Sequence, residues 1–140
     1  MPSITGQLGV TLTVRDVERS AKWYVALLEM RVRYNYRSDD GSTHYVCLDH
    51  PEGVLELCLV SHATDTGEPF SEFRTGLDHL EFLVTSSDDL LGWAEKLDHL
   101  GISHSGVKAP SYTRNSMITF RDPDDIQLEF FWKAPQETES

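Results

Sequence analysis

Two residues of this chain, His79 and Glu129, have the types and the surroundings of metal ligands. His79 lies near the start of a strand-like segment, 78–84, and Glu129 lies between large apolar residues in a second one, 125–132. A carboxylate in apolar surroundings is costly unless something binds it. If the two segments are strands of one sheet with both side chains on the same face, an imidazole and a carboxylate converge as a divalent metal ion requires.

The composition favours a small molecule as the partner. The chain has 140 residues and a net charge of −11, from 23 acidic and 12 basic residues. Because there is no basic stripe, we expect neither nucleic acid nor an anionic membrane surface as a partner. No apolar run is long enough to cross a bilayer, and residues 1–5 carry neither a basic region nor an apolar signal core. We therefore expect a cytoplasmic protein. Its two cysteines, Cys47 and Cys58, could pair in space, but without a secretion signal we expect them to be reduced.

The apolar pattern divides the chain into two halves with the same order of elements. Alternating residues predict strands, and residues at helical spacing predict one helix in each half. The first helix follows Asp16, a predicted cap, and the second ends at Gly101. The predicted elements are strand 8–14, helix 17–28 and strands 31–36, 43–48 and 54–60, then strand 78–84, helix 90–100 and strands 102–105, 115–120 and 125–132.

The first and last strands of the two halves align residue by residue. Segment 8–14 lies over 78–84 without a gap, so that Gly9 corresponds to His79. Segment 55–57 lies over 128–130, so that Glu56 corresponds to Glu129. A repeat of about 70 residues is too long for a solenoid and indicates a duplicated module.

Three motifs occur in a fixed order along the chain. They are Val-Arg-Asp-Val-Glu-Arg-Ser at 14–20 followed by Trp23 and Tyr24, Gly-Leu-Asp-His-Leu at 76–80, and Phe-Arg-Asp-Pro-Asp-Asp-Ile-Gln-Leu-Glu at 120–129. Together with the internal repeat, this pattern resembles the vicinal oxygen chelate superfamily over about residues 7–133. That superfamily groups glyoxalase I, extradiol dioxygenases, fosfomycin-resistance enzymes and bleomycin-binding proteins.

The resemblance implies an α+β fold of two tandem βαβββ modules, 7–61 and 76–133, whose mixed β-sheets curl into a cup. A linker, 62–75, and a flexible tail, 134–140, complete the single domain. The resemblance also implies a homodimer, and metal ligands that come from the first and fourth strands of each module.

Carried over residue by residue, the four ligand positions are Gly9, Glu56, His79 and Glu129. Glycine has no side chain to offer, so the implied metal ligands are Glu56, His79 and Glu129. Such an oxygen-rich set suits Mn²⁺, Fe²⁺, Ni²⁺, Mg²⁺ or Zn²⁺ and leaves positions for water and a chelating substrate. Glu56 or Glu129 could also leave the metal and act as the catalytic base. The alternatives are a histidine that is hydrogen-bonded within its sheet and carboxylates that face solvent.

Five further residues are candidates for substrate binding. Strict alternation from the predicted ligands places Thr11, Cys58 and Glu81 on the cup side, where Glu81 could also orient the ligands. A loop at 109–114 would contribute Tyr112 and Arg114 as contacts of a lid. The alternative for each is plain cavity lining.

Two functions follow. The first is a small metalloenzyme that polarises vicinal oxygens of its substrate, with isomerase, lyase or ring-cleaving dioxygenase chemistry. The second is a metal-free, bleomycin-resistance-like protein that sequesters an aromatic or antibiotic-like ligand at a dimer cleft. Gly9 favours the second function, and the three remaining ligands favour the first.

Overall fold

The chain folds as two units, each with one helix packed against one sheet. The computed structural model describes residues 1–53 and 55–136; the first unit ends at Glu68 and the second begins at Pro69. The first unit contains β1 (Thr11–Thr13), α1 (Val17–Leu28), β2 (Arg31–Arg37), β3 (Thr43–Asp49) and β4 (Glu56–His62). The second contains β5 (Leu80–Leu83), α2 (Asp89–His99), β6 (Ser116–Arg121) and β7 (Gln127–Trp132). None of the helices in the described part of the chain is long and apolar enough to cross a membrane.

The first unit forms a sheet of order β1-β4-β3-β2, in which only the β1–β4 pair is parallel. The side chain of Asp16 accepts a hydrogen bond from the backbone N–H of Arg19 (3.1 Å), which confirms the predicted start of α1. Buried residues of α1 such as Tyr24 and Leu27 form a core with those of β3 and β4. The unit is therefore held by one apolar layer between helix and sheet.

The two cysteines of the first unit are joined. Cys47 of β3 and Cys58 of β4 are direct cross-strand partners and form a disulfide. The prediction of two reduced thiols is wrong, because the hairpin register places the cysteines opposite each other, a proximity that their sequence spacing does not reveal.

The second unit forms a three-stranded sheet of order β5-β7-β6, with β5–β7 parallel and β6–β7 antiparallel. Phe130 is 1% exposed, and its ring stacks on Trp93 of α2 (4.1 Å between centroids) and on Phe120 of β6 (5.0 Å). Phe130 and the side chains that alternate in phase with it face α2. The side chains at the intervening positions of the three strands face away from α2, and we call this side of the sheet the far face. Its residues are Glu81, Leu83, Met117, Thr119, Arg121, Gln127, Glu129 and Phe131.

The α+β fold with two tandem units is confirmed, but several element boundaries differ from the predicted ones: β4 spans Glu56–His62 rather than 54–60, and β5 spans Leu80–Leu83 rather than 78–84. The first strand is shorter than predicted, because Leu8 is 87% exposed and lies outside β1. The predicted strand 102–105 is reduced to an isolated bridge at His104, and a second isolated bridge follows at Lys108. Two glycines, Gly101 and Gly106, adopt positive φ values of 71° and 73° on either side of the predicted strand, which interrupts an extended segment.

The chain after β7 is partly anchored. The backbone N–H of Ala134 donates to the side chain of Asn115 (2.8 Å), and the carbonyl of Pro135 accepts from Arg114. Residues 137–140 of the predicted tail lie outside the described residues. The predicted linker 62–75 and the module bounds stay predictions.

An ion pair fixes the segment that precedes β5. Glu72 accepts two hydrogen bonds from Arg121 of β6, at 2.8 and 3.1 Å. These bonds lower the pKa of Glu72 from 4.5 to about 2. The Arg121 guanidinium also donates to the carbonyl of Asp125 (3.0 Å), so one side chain ties this segment to the β6–β7 turn.

We predict that Phe130→Ala lowers the free energy of unfolding by about 3–5 kcal/mol, because it removes the ring at the centre of the aromatic stack and leaves a cavity. The measurement is urea unfolding followed by tryptophan fluorescence. Leu91→Ala, at a site on α2 that is 61% exposed, is the control and should change stability by less than about 0.5 kcal/mol. A loss below about 1 kcal/mol for Phe130→Ala would contradict this account of the core.

We also predict that Glu72→Gln is less stable than wild type near neutral pH and that the difference shrinks as the pH falls. A carboxyl group whose pKa is lowered by folding stabilises the protein above its unfolded pKa, and that contribution disappears as the group is protonated. For Glu72 the window runs from about pH 4.5 down to about 2. Urea unfolding at several pH values measures it, with Glu95→Gln on the exposed side of α2 as the control. A difference that stays constant across this window would argue against the ion pair.

Candidate metal centre

The register of the second sheet brings two carboxylates and one imidazole together. Glu81 of β5 and Glu129 of β7 are direct partners in the parallel pair, and both lie on the far face. His79 comes immediately before β5, two residues from Glu81, so it follows the same alternation. One ligand atom from each of the three residues lies within 4.8 Å of the other two. In the described part of the chain, this is the one such cluster of three or more His, Cys, Asp and Glu side chains.

The imidazole of His79 lies between carboxylates. Its Nδ1 is 2.7 Å from Oδ1 of Asp78, and its Nε2 is 2.7 Å from Oε1 of Glu81 and 3.7 Å from Oε2 of Glu129. Nδ1–H can donate to Asp78 and, without a cation, Nε2–H can donate to Glu81; loss of the Nε2 proton would free that lone pair for a cation at the two glutamates. A histidine whose Nδ1–H donates to a carboxylate and whose Nε2 can give up its proton is the arrangement in which histidines bind metal ions.

Asp78 is itself held in place by the strand that carries Glu129. The side-chain amide of Gln127, the first residue of β7, donates to the carbonyl oxygen (3.1 Å) and to the carboxylate (3.2 Å) of Asp78. The orientation of His79 therefore depends on both strands. Sequence analysis did not identify Asp78 and Gln127; the available signals were the position of Asp78 next to His79 and the alternation of Gln127 with Glu129.

The electrostatics favour a bound cation. Glu129 is 8% exposed, and this burial raises its pKa although the charge of His79 acts in the opposite direction. Burial lowers the pKa of His79, but hydrogen bonds to Asp78 and Glu81 and the charge of Glu129 raise it by more, so the net change is upward. Three carboxyl groups surround a single imidazole. Among the described residues, the basic side chain paired with Glu129 is His79, at 3.7 Å. These residues fit a divalent ion, which would neutralise the excess negative charge.

Glu56 lies in a different environment, at the start of β4 in the first unit. Its carboxylate is 3.6 Å from Arg33, and its side chain is 65% exposed. The neighbouring Asp49, its cross-strand partner, is bound by Arg31 at 2.8 Å and by Arg33 at 3.3 Å. The hydrogen bond from Arg31 lowers the pKa of Asp49. Glu56 belongs to the first unit, and its predicted roles as metal ligand and base stay predictions.

The strand registers correct the alignment of the two halves. Thr11 of β1 pairs with Cys58, whereas its counterpart Glu81 pairs with Glu129. The position that matches Glu129 in the first unit is therefore Cys58, and the alignment of Glu56 with Glu129 is wrong by two residues. The number of residues between the first and last strands differs between the two halves, and the sequence does not show where the extra residues lie.

The other predicted substrate-binding residues lie in three different settings. Glu81 is in direct contact with His79 and is a third potential ligand. Thr11 is exposed on β1, and Cys58 is committed to the disulfide. Tyr112 is 89% exposed, and Arg114 donates to the carbonyl of Pro135. A lid made by the last two residues stays a prediction.

A cavity of about 330 Å³ adjoins the cluster on the side of β6. Thr119, which lines it, is the cross-strand partner of Glu129, and Gln127 connects it to Asp78. Its lining combines hydrogen-bonding side chains with apolar surface. The lining residues are Ser103, His104, Ser105, Thr119, Phe120, Arg121 and Gln127.

Comparisons with solved structures find this fold repeatedly. A glyoxylase/bleomycin resistance protein/dioxygenase domain from Frankia sp. EAN1pec has 32% sequence identity and a TM-score of 0.83, with 96% of each chain covered. A glyoxalase family protein from Enterococcus faecalis has 21% identity and a TM-score of 0.68, with 89% of this chain and 93% of that chain covered. FosX, a fosfomycin resistance protein from Listeria monocytogenes solved with Mn(II) and sulfate, has 18% identity and a TM-score of 0.67, with 94% and 95% covered.

Sequence comparison leads to the same family. No curated protein matched the chain. A family model described as the Glyoxalase/Bleomycin resistance protein/Dioxygenase superfamily matches residues 6–130, which is most of the chain. This chain therefore belongs to the Glyoxalase/Bleomycin resistance protein/Dioxygenase superfamily.

Proposed function

We propose that this chain is a small metal-dependent enzyme whose cation is held by His79 and Glu129, with Glu81 as the third ligand. The observation that carries the proposal is the approach of the three ligand atoms to within 4.8 Å of one another on two paired strands. One imidazole and two carboxylates suit Mn²⁺, Fe²⁺, Ni²⁺, Mg²⁺ or Zn²⁺. FosX, which shares the fold, was solved with Mn(II), and this makes Mn²⁺ the first ion to test.

The bound cation would supply Lewis-acid polarisation of two adjacent oxygens of the substrate. The protein residues have distinct roles around it. Asp78 accepts a hydrogen bond from the Nδ1–H group of His79, which leaves Nε2 as the nitrogen that would bind the cation, while Gln127 holds Asp78. Glu129, whose side chain is 11% exposed, remains a fixed ligand, because burial restricts its movement and its access to water.

Glu81 is the better candidate for the catalytic base. Its side chain is 37% exposed and lies on the short edge strand β5, so its carboxylate can turn away from the cation and accept a proton from the substrate. This assignment differs from the sequence-based choice of Glu56 or Glu129. Isomerisation, elimination and ring cleavage each require such a base or an equivalent proton acceptor near the chelated oxygens.

The second candidate function is a metal-free binding protein. Two features of the first unit favour it: Gly9 offers no ligand, and Arg33 pairs with Glu56. In that case the cluster around His79 would serve only as a polar patch in a ligand-binding site. The cytoplasmic location and the homodimer expected from the sequence remain predictions for both functions.

We predict that the purified chain, freed of metals with a chelator, binds one Mn²⁺ per chain in isothermal titration calorimetry. His79→Ala and Glu129→Gln should each weaken the binding at least about tenfold, because either change removes a ligand atom. His104→Gln is the matched control: its Nε2 is also 2.7 Å from a carboxylate, that of Asp98, but it belongs to no such cluster of three.

The result that supports a metal-free binding protein is the absence of saturable binding for Mn²⁺ and for Ni²⁺, Fe²⁺, Mg²⁺ and Zn²⁺. Binding that His79→Ala and Glu129→Gln leave unchanged would place the ion elsewhere and reject this site.

A further inference from the structure

The far face of the second sheet is organised in rows that cross its three strands. One row contains Glu81, Glu129 and Thr119, which are paired in register across β5, β7 and β6. The next row contains Leu83, Phe131 and Met117, paired in the same way. The two rows are separated by two residues along each strand, or about 7 Å. An apolar row therefore lies directly beside the carboxylates of the candidate metal centre.

The apolar row is accessible. Leu83 is 67% exposed, and Phe131 and Met117 are half-buried, whereas Phe82 on the opposite face of β5 is buried. Single exposed apolar side chains are common on protein surfaces, but a contiguous set beside a polar cluster indicates a binding site. Small-molecule sites combine such a lining with a few convergent polar groups.

Polar residues lie on the other side of the row formed by Glu81, Glu129 and Thr119, away from the apolar row. The cavity there is lined by Arg121, Gln127 and Ser103, together with further hydrogen-bonding groups. Arg121 and Gln127 already donate hydrogen bonds to Glu72 and Asp78, and they could hold polar groups of a ligand that extend beyond the cluster. An apolar group gains more by covering Leu83, Phe131 and Met117, because those side chains have no hydrogen bonds to lose.

We propose that the substrate is an amphipathic chelator, with two vicinal oxygens at the His79 cluster and an apolar body over Leu83, Phe131 and Met117. This inference rests on the proposed function and adds the class of substrate. Three strands about 4.8 Å apart span about 10 Å, and this is enough for one aromatic ring or a short alkyl chain. Leu83, the most exposed of the three, determines specificity for the apolar body.

The test uses two hydroxamates, which present the same pair of vicinal oxygens on different bodies. Acetohydroxamate carries a methyl group and benzohydroxamate carries a phenyl ring. Each is titrated into the full chain loaded with Mn²⁺, and into free Mn²⁺ to correct for intrinsic chelation. We expect the wild type to bind benzohydroxamate at least about tenfold more tightly than acetohydroxamate, because the ring is buried on the apolar row.

Leu83→Ser should remove most of this preference and leave the affinities for Mn²⁺ and for acetohydroxamate within about twofold of wild type. Because Leu83 is exposed, its replacement leaves the buried core intact. Leu91→Ser, at an equally exposed leucine of α2, is the matched control and should keep the full preference.

Equal corrected affinities for the two hydroxamates, or a preference that survives in Leu83→Ser, would overturn the inference while Mn²⁺ and acetohydroxamate binding still supported the proposed function. Failure of Mn²⁺ to bind would overturn the proposed function and this inference with it.

Discussion

The candidate site depends on the contact between a buried carboxylate, that of Glu129, and the imidazole of His79. Glu129 occupies the central strand of the second sheet and is 8% exposed, in a position where an ionised group loses most of its hydration. Removal from water raises its pKa, and the nearby imidazole of His79 only partly offsets the effect. Glu129 can remain ionised there if a bound cation compensates for the lost hydration. Asp78 and Glu81, on either side of His79, add negative charge to the same place.

The rest of the second unit holds this group in position. The stacked rings of Trp93, Phe120 and Phe130 fix β7 against α2, and alternation then directs Glu129 to the far face. The parallel register with β5 brings Glu81 alongside it. Gln127 and Asp78 set the orientation of the imidazole. Precise placement of ligands by rigid elements and their hydrogen-bonded neighbours is what a metal centre requires.

Much of the site follows from the sequence because it depends on short-range periodicity. Strict alternation along β5 and β7 is enough to place His79, Glu81 and Glu129 on one face once the strands are assumed to be neighbours. The cap of α1 at Asp16 has an equally local signal. The disulfide and the match of Glu129 with Cys58 could not be predicted, because both depend on strand register: the disulfide on that of the β3–β4 hairpin, and the match on pairings between strands distant in sequence. The break in strand 102–105 depends on two positive-φ glycines, and the sequence does not show which glycines adopt such angles.

The described residues of this chain have their candidate cluster in the second unit. In the first unit, arginines neutralise Asp49 and Glu56. The most direct test of the cation site is therefore anomalous X-ray diffraction at the manganese edge from crystals soaked in Mn²⁺. The account predicts one strong peak within bonding distance of Nε2 of His79 and a carboxylate oxygen of Glu129, with Asp78 still bound to Nδ1. A peak at Asp49 and Glu56 instead, or no peak beside His79, would contradict it.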